Sequence, residues 1–250
     1  MANLKKNIEM SSNTLKFIAI FFMTIAHFTF IFLSEETSSF IVLMMVGQIA
    51  APIMFYLAVE GYHHTKSIKK YVMRLLIFAV ISQPFFGYGL SGGVWISANI
   101  LQQYLFYINV LFTIAFGLLA VYIRREIRNV FIKIFLILVL FFLAGFADWG
   151  AFGLISILLF DWFYGNFKKQ FIAYCILILL MRLASFIQTG FDVPDFYFIL
   201  ELLREFVPIT MLYFYNEKIG QGGKFVKWFF YIFYPLHLFV LGFVYSFLSN

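Results

Sequence analysis

Two residues of the first apolar segment have types and a spacing that could do chemistry. Lys16 and His27 are eleven positions apart, and over that interval a helix turns about 1100°, roughly 20° past three full turns. Their side chains therefore share one face, roughly 16 Å apart along the axis. This distance is close to the length of an extended pantetheine arm, so the pair predicts a cation and a general base that hold an acyl-CoA. A His that only hydrogen-bonds to a neighbouring helix, with a Lys that snorkels to lipid headgroups, has the same spacing.

Other ionisable residues also lie within or beside long apolar runs. At the centre of a membrane helix such a side chain costs about 2.5 to 3.5 kcal/mol on insertion scales, so it usually faces a cavity or a partner. These residues are Glu60, His63, His64, Arg182, Glu201, Arg204, Glu205 and His237, with Asp148 and Asp161 at the two ends of one apolar run. They are the candidates for function.

The histidines do not form a recognisable metal site. His63 and His64 are adjacent and point about 100° apart on a helix, so they do not easily share one ion with Glu60. A His-Glu-x-x-His motif is absent, and Cys175 is the single cysteine. We predict no metal, and interpret Glu60 and His63 as orienting residues around an acyl donor. His237 is either a second catalytic or gating group or a packed His.

A further polar group lies in the eighth apolar segment. Glu201 and Glu205 are four residues apart, and Arg204 follows Glu201 by three, so on a helix they are neighbours. Mutual pairing, or a bridge to Arg182, would satisfy them with a purely structural role. Binding of a polar acceptor is the alternative, with Asp148, Arg182 and Glu201 as its candidate residues.

The composition places these residues in a membrane protein. Of the 250 residues 63% are hydrophobic and 12% are charged, whereas a soluble domain carries about 25% charged residues. The apolar runs are about as long as the roughly 20 residues that cross a bilayer core. We predict one all-α domain over residues 1–250, with about nine transmembrane helices at 14–33, 40–60, 71–88, 104–123, 130–147, 150–165, 170–188, 196–215 and 226–248.

The distribution of cations predicts the orientation of this helix bundle. All Lys and Arg except Arg182 and Arg204 fall near every second helix boundary, and the alternate turns contain no Lys or Arg. Short basic loops stay cytoplasmic, so the N-terminus is predicted inside and the C-terminus outside. The net charge of +6 is therefore mostly a topology signal, and nucleic-acid binding is not expected.

Several segments together form a recognisable pattern. They are Leu15–Ile20 with Ala26–His27, Gly47–Thr65, Lys69–Pro84, Asn109–Thr113, Asp148–Gly150 and Phe233–Leu238. These segments resemble the TraX family of membrane proteins. The similarity spans nearly the whole chain, and the block from the second to the third helix is its most specific part.

The resemblance implies an activity and roles for several residues. The family's named activity is acetylation of the N-terminal amine of pilin subunits, and it resembles a wider superfamily of membrane acyltransferases that modify envelope glycans. That superfamily has an Arg, ten residues and a His in its first helix, where this chain has Lys16 and His27. Lysine keeps the charge but lacks the bidentate fork of arginine. Lys16, Lys70 and Arg74 would neutralise the phosphates of CoA, although such loop cations serve topology equally well.

Together these features predict a multi-pass acyltransferase of the bacterial cytoplasmic (inner) membrane. Acetyl-CoA or another acyl-CoA would be the donor, and His27 would be the general base. The acceptor would be an exported peptide or pilin amine, or an envelope glycan hydroxyl. The alternative function is non-enzymatic, as a membrane transporter or as an assembly factor for a pilus or a secreted peptide.

Overall fold

The chain is all-α within the part that the structure describes. This computed structural model describes residues 9–94, 107–189 and 195–249, which contain ten helices and two isolated β-bridges. The helices are α1 (Ser12–Phe32), α2 (Ser38–Gly47), α3 (Ala50–His64), α4 (Ile68–Leu90), α5 (Val110–Glu126), α6 (Val130–Ala144), α7 (Gly150–Trp162), α8 (Phe167–Thr189), α9 (Asp195–Tyr213) and α10 (Gly223–Ser249).

Side-chain caps define where several of these helices begin. In each case a hydroxyl or amide oxygen accepts a backbone N–H of the first turn, which otherwise has no partner inside the helix. The capping residues are Ser11, Thr37, Ser67, Asn109 and Asn129. Polar residues at these positions therefore separate the apolar runs into individual helices.

Five segments are long and apolar enough to cross a membrane. They are α1, α2 and α3 taken together, α4, most of α8 and most of α10. Helices α6 and α7 are apolar but have 15 and 13 residues, fewer than the roughly 17 that a span needs. The protein is thus a helical membrane protein, and the number of nine spans stays a prediction.

The predicted second helix, 40–60, is wrong in one respect. The structure divides it at Gln48 and Ile49 into α2 and α3. Pro52 stands in the first turn of α3 and has no N–H, so it cannot donate to the carbonyl of Gln48 four residues earlier. The other predicted helices correspond to observed ones with shifted ends, and the predicted start of the fourth, at 104, lies outside the described residues.

Helix α3 is the centre of the bundle. Its side chains are buried around most of its circumference, including Ile53, Phe55 and Val59. Helix α6 is peripheral, because only Leu140 and Ala144 are buried in it. In a bilayer the exposed apolar side chains of such a helix face lipid, which accounts for their number.

The basic turns gather at one end of the bundle. The backbone N–H of Ser12 donates to the carbonyl of Lys218 at 2.8 Å, and His63 contacts Asp161 at 2.8 Å. The turn after α9 therefore lies beside the start of α1, and the ends of α3, α5 and α7 meet at Asp161. Lys5 and Lys6 lie outside the described residues, and the orientation in the membrane stays a prediction.

Gly47 sets how closely α1 and α2 approach beside His27. A Cβ at position 47 would lie 2.6 Å from the Cα of Ala26, so one helix must move. We expect Gly47→Ala to destabilise the protein by about 1 to 3 kcal/mol through overpacking. Thermal unfolding in detergent checks this effect, with Gly145→Ala as the control, because Gly145 already has helical backbone angles. Equal melting temperatures for the two variants would contradict the expectation.

Candidate active site

The two predicted catalytic histidines meet through a hydrogen bond. The Nδ1 atom of His27 lies 2.8 Å from the Nε2 atom of His237, although the residues are 210 positions apart. The Nδ1 atom of His237 lies 2.9 Å from the carbonyl oxygen of Phe233, one turn earlier in α10. His237 is buried at 7% exposure. The three groups form a continuous relay from backbone to ring to ring.

The chemistry of the relay fixes both ring tautomers. A carbonyl can only accept, so the Nδ1 atom of His237 carries its proton and donates to Phe233. In the neutral ring the Nε2 atom of His237 is then an acceptor, and the Nδ1 atom of His27 must donate to it. The Nε2 atom of His27 is left without a proton. This is the arrangement of a general base held by an orienting group.

His27 lines a cavity of about 330 Å³ between α1, α2, α3, α4, α5 and α10. We call it the histidine cavity. Its wall is mostly apolar, with Met23, Met44 and Phe86 among its residues, and its volume is at the lower end of the 300 to 1,000 Å³ of ligand pockets. It has room for an acyl group and part of a flexible arm, and little room for a nucleotide.

A second cavity, of about 370 Å³, adjoins the first. We call it the arginine cavity, because Arg182 and Arg204 line it together with Glu205. Three residues line both cavities and form a partition between them: Gln48, Asp148 and Trp149. The break between α2 and α3 supplies the first of these, and the turn between α6 and α7 supplies the other two.

Asp148 is held firmly in this partition. Its carboxylate accepts a hydrogen bond from the hydroxyl of Tyr107 at 3.2 Å, and its backbone carbonyl accepts one from Thr113. Trp149 follows with a φ of 66°, a left-handed conformation that is uncommon for a bulky residue and is found at functional sites. Burial raises the pKa of Asp148 to about 6, and the Tyr107 hydrogen bond opposes this rise.

The charged residues of the arginine cavity satisfy one another. Arg182 pairs with Glu201 and lies 3.5 Å from Glu205, and Arg204 pairs with Glu205. Arg204 also donates to the side-chain oxygen of Gln48 at 2.7 Å. The mutual pairing predicted from spacing is therefore present, and through Gln48 it is connected to the partition.

The predicted phosphate-binding cations lie outside both cavities. The Nζ atom of Lys16 is 5.7 Å from the ring centre of Phe230, and Phe230 lines the histidine cavity. Arg74 lies over the ring of Tyr231, the next residue, at 5.2 Å. Lys16 is therefore close to the lining of the histidine cavity, whereas Arg74 contacts a residue that does not line it and Lys70 is exposed on the first turn of α4.

Comparison with known proteins assigns the family. A sequence model described as TraX protein matches residues 11–245. The chain belongs to the TraX family. It is also 35% identical over 240 residues, 95% of this chain and 97% of the relative, to a Dichelobacter nodosus protein named "Probable fimbrial assembly protein FimC, serogroup H1". No solved structure matches.

This TraX family member has a further ionic cluster at the basic end of the bundle. Asp161, whose side chain is fully buried, accepts hydrogen bonds from Arg124, from Arg125 at 2.8 Å and from His63 at 2.8 Å. His63 also stacks on Tyr164 with ring centres 3.6 Å apart. Its predicted role beside the acyl donor stays a prediction, because neither cavity includes it.

Glu60 and His64 lie close to this cluster. Glu60 is buried at 7% exposure, and one of its oxygens is 3.3 Å from the Nε2 atom of the exposed His64. Neither residue lines a cavity, so donor binding by Glu60 also stays a prediction. Among the described residues no group of three or more His, Cys, Asp or Glu is placed to hold a metal ion.

Sequence reasoning missed several residues of the TraX site. Gln48, Tyr107 and Trp149 are polar or aromatic and uncharged, so the search for buried charge did not find them. Gln48 and Trp149 lie in segments that carry the family resemblance, and Pro52 was a further signal for Gln48, since a proline four residues later leaves its carbonyl without the usual helical donor. Tyr107 had no signal in this sequence that separates it from the other aromatic residues.

Proposed function

We propose that this TraX family member is an integral membrane acyltransferase that moves an acetyl or short acyl group from acyl-CoA to an exported acceptor, with His27 as general base. The observation that carries the proposal is the relay from Phe233 through His237 to His27. It leaves an unprotonated ring nitrogen on a residue that lines an apolar cavity. A neutral imidazole in such a position suits proton abstraction near pH 7.

The donor would enter the histidine cavity from the end near Phe230. Lys16 is close to that end, and Arg74 contacts the next residue of α10, so both would neutralise the phosphates of CoA. Lys70, Glu60 and His63 would help to bind the donor at the basic end of the bundle. The residues that line the cavity run from Ala19 to Phe30 along α1, which is roughly 16 Å of helix. An extended pantetheine arm fits this length, so the thioester would reach His27 while the nucleotide stays outside.

The reaction needs one proton acceptor and one proton donor. The acceptor amine or hydroxyl attacks the thioester carbonyl, and the Nε2 atom of His27 takes its proton. A C–N or C–O bond forms, the C–S bond breaks, and the proton passes from His27 to the departing sulfur to give free CoA. The Nδ1 atom of His237 would keep its proton, which it donates to the carbonyl oxygen of Phe233, so His237 would position His27 and would not carry the proton away.

The acceptor would approach through the arginine cavity. Its nucleophile would meet the thioester at the partition, where Asp148 lines both cavities. Asp148 and Arg182 line the arginine cavity, and Glu201 does not line it but pairs with Arg182; these three are the proposed acceptor-binding residues. The relative named as a fimbrial assembly protein supports an exported peptide or pilin amine as the acceptor. A glycan hydroxyl would attack the thioester in the same way.

This function fits one orientation in the membrane. With the basic turns in the cytoplasm, the protein would span the bacterial inner membrane with its N-terminus inside and its C-terminus outside. Lys16 and Arg74 would then face the compartment that contains acyl-CoA. The partition would lie toward the opposite side, where exported acceptors are found.

A transfer assay tests the proposal. Purified protein in nanodiscs is incubated with radiolabelled acetyl-CoA, with or without candidate pilin peptides that have a free or a blocked N-terminus. Label in the free peptide, and none in the blocked one, is the expected result. If well-folded protein neither binds nor turns over acetyl-CoA with any acceptor, the acyltransferase function is rejected.

A non-enzymatic assembly role is the second candidate. The name of the relative describes fimbrial assembly and no reaction. An assembly factor would restore pilus formation in cells with His27→Gln as well as with the wild-type chain. A transporter would move labelled substrate into vesicles without any acyl donor.

Asp148 gives the proposed reaction a distinct pH dependence. Its pKa of about 6 means that the carboxylate form, which would hold an acceptor amine, predominates only above that pH. We expect kcat/KM for the acceptor to fall about tenfold per pH unit below 6. Rates from pH 5 to 8 check this expectation.

Two variants make the pH measurement specific to Asp148. Asp148→Asn should abolish this limb of the profile. Tyr107→Phe should move the limb to higher pH, because it removes a hydrogen bond that favours the ionised form. A limb that is unchanged in Asp148→Asn would assign it to another group.

A further inference from the structure

The histidine cavity contains a buried tyrosine hydroxyl that takes no part in the relay of hydrogen bonds. Tyr234 lines this cavity and is buried at 4% exposure. Its hydroxyl oxygen has no hydrogen-bond partner among the described residues. Buried polar atoms nearly always have a partner, and each exception calls for a physical reason.

The other tyrosine hydroxyl of this cavity is already engaged. The hydroxyl of Tyr107 donates to Asp148, which occupies its only hydrogen. The backbone N–H of Val110 makes at most a weak hydrogen bond to the hydroxyl oxygen of Tyr234, outside regular hydrogen-bond geometry. An N–H can only donate to that oxygen, so the hydrogen of Tyr234 is unused in either case.

Helix α10 places this hydroxyl beside the base. Tyr234 precedes His237 by three residues, and residues three apart share one helix face. The ring centre of Tyr234 is 6.3 Å from that of His27 and 5.7 Å from that of His237. A reacting group next to His27 is therefore also close to Tyr234.

We propose that Tyr234 is a catalytic residue whose hydroxyl donates a hydrogen bond to the carbonyl oxygen of the bound thioester. This inference rests on the proposed acyltransferase function. When the acceptor attacks, the carbonyl π electrons move onto that oxygen, and the oxygen becomes an anion until the C–S bond breaks. A donor fixed beforehand in an apolar cavity stabilises this charge without reorganisation. Tyr234 keeps its proton, since the proton of the acceptor goes to His27.

The first test separates catalysis from folding. Tyr234→Phe removes one hydroxyl and keeps the ring, so we expect kcat for acetyl transfer to fall about 100-fold with KM changed less than twofold. The melting temperature should be unchanged or higher, because the variant removes a buried hydroxyl that had no partner. The matched control is Tyr56→Phe, since Tyr56 is also buried and lines neither cavity.

The second test measures the hydrogen bond directly. Acetyl-CoA labelled with ¹³C at the carbonyl is bound to His27→Ala, in which the thioester survives, and to His27→Ala combined with Tyr234→Phe. We expect the carbonyl stretching frequency to be lower in the first protein than in the second.

The outcomes distinguish the two proposals. If the wild-type chain transfers acetyl groups while Tyr234→Phe keeps its rate and its carbonyl frequency, only the role of Tyr234 is overturned. A loss of rate in Tyr56→Phe as large as that in Tyr234→Phe would also overturn it. If the wild-type chain neither binds nor uses acetyl-CoA, the proposed function fails and the role of Tyr234 fails with it.

Discussion

Replacing His27 with alanine is expected to lower acetyl transfer by about 10²- to 10⁴-fold, the range that general bases contribute. The variant removes the only ring nitrogen of the relay that is free to accept a proton, while His237 keeps its bond to Phe233. The effect should appear in kcat, because the histidine cavity, which we propose holds the donor, keeps most of its apolar wall. Single-turnover transfer from radiolabelled acetyl-CoA is the measurement, with acetyl-CoA binding measured in parallel.

A second histidine serves as the control for this prediction. His64 is exposed and contacts only the basic end of the bundle, so His64→Gln should keep its rate within about twofold, as surface changes usually do. Added imidazole should restore part of the lost rate in His27→Ala, because the variant leaves a space of the right shape beside the cavity. A His27→Ala protein that binds acetyl-CoA and transfers at the wild-type rate would contradict the assignment of His27 as base.

Replacing Asp161 with asparagine is expected to cause the largest loss of stability, about 3 kcal/mol. The buried carboxylate accepts hydrogen bonds from Arg124, Arg125 and His63 and so joins the ends of α3, α5 and α7. Asparagine leaves both guanidinium groups without their counter-charge. Because the arginine side chains are 23% and 36% exposed, water compensates part of the loss, which places the effect at the lower end of the range for buried pairs.

Thermal unfolding in detergent measures this loss against a matched control. Glu126 is an exposed carboxylate at the same end of the bundle, and Glu126→Gln removes the same charge with an expected effect below about 0.5 kcal/mol. If Asp161→Asn has the same melting temperature as Glu126→Gln, the cluster does not hold the helix ends together. A double-mutant cycle with His63→Gln gives the share of the energy that passes through the histidine.

The sequence predicted the fold well because the bilayer constrains it strongly. Apolar runs of defined length, separated by capping residues such as Ser11 and Asn129, determine where helices lie. The break at Gln48 was missed because hydropathy does not register one proline in the first turn of a helix. Short helices such as α7 were predicted too long, since apolar residues continue beyond the last helical hydrogen bond.

The candidate site was predictable in its charged members and not in their partners. His27 and His237 stood out as ionisable residues in apolar runs, but 210 positions separate them, and spacing along one helix gives no information on such a pair. The partners of Arg182 were easier, because Glu201 and Glu205 are neighbours on one helix. The position of Lys16 behind Phe230 depends on how α10 packs against α1, which no local pattern contains.

The partition between the two cavities has a consequence for how such a protein changes its substrate over evolutionary time. Among the described residues only Gln48, Asp148 and Trp149 line both cavities, so substitutions elsewhere in the arginine cavity would alter the proposed acceptor contacts and leave the lining of the histidine cavity as it is. On the proposed function, one lineage can therefore exchange acceptors while it retains a single acyl donor. The three shared residues are under selection for both donor and acceptor binding. In combinatorial libraries at these positions, variants with an altered acceptor preference should therefore also have a lower turnover rate.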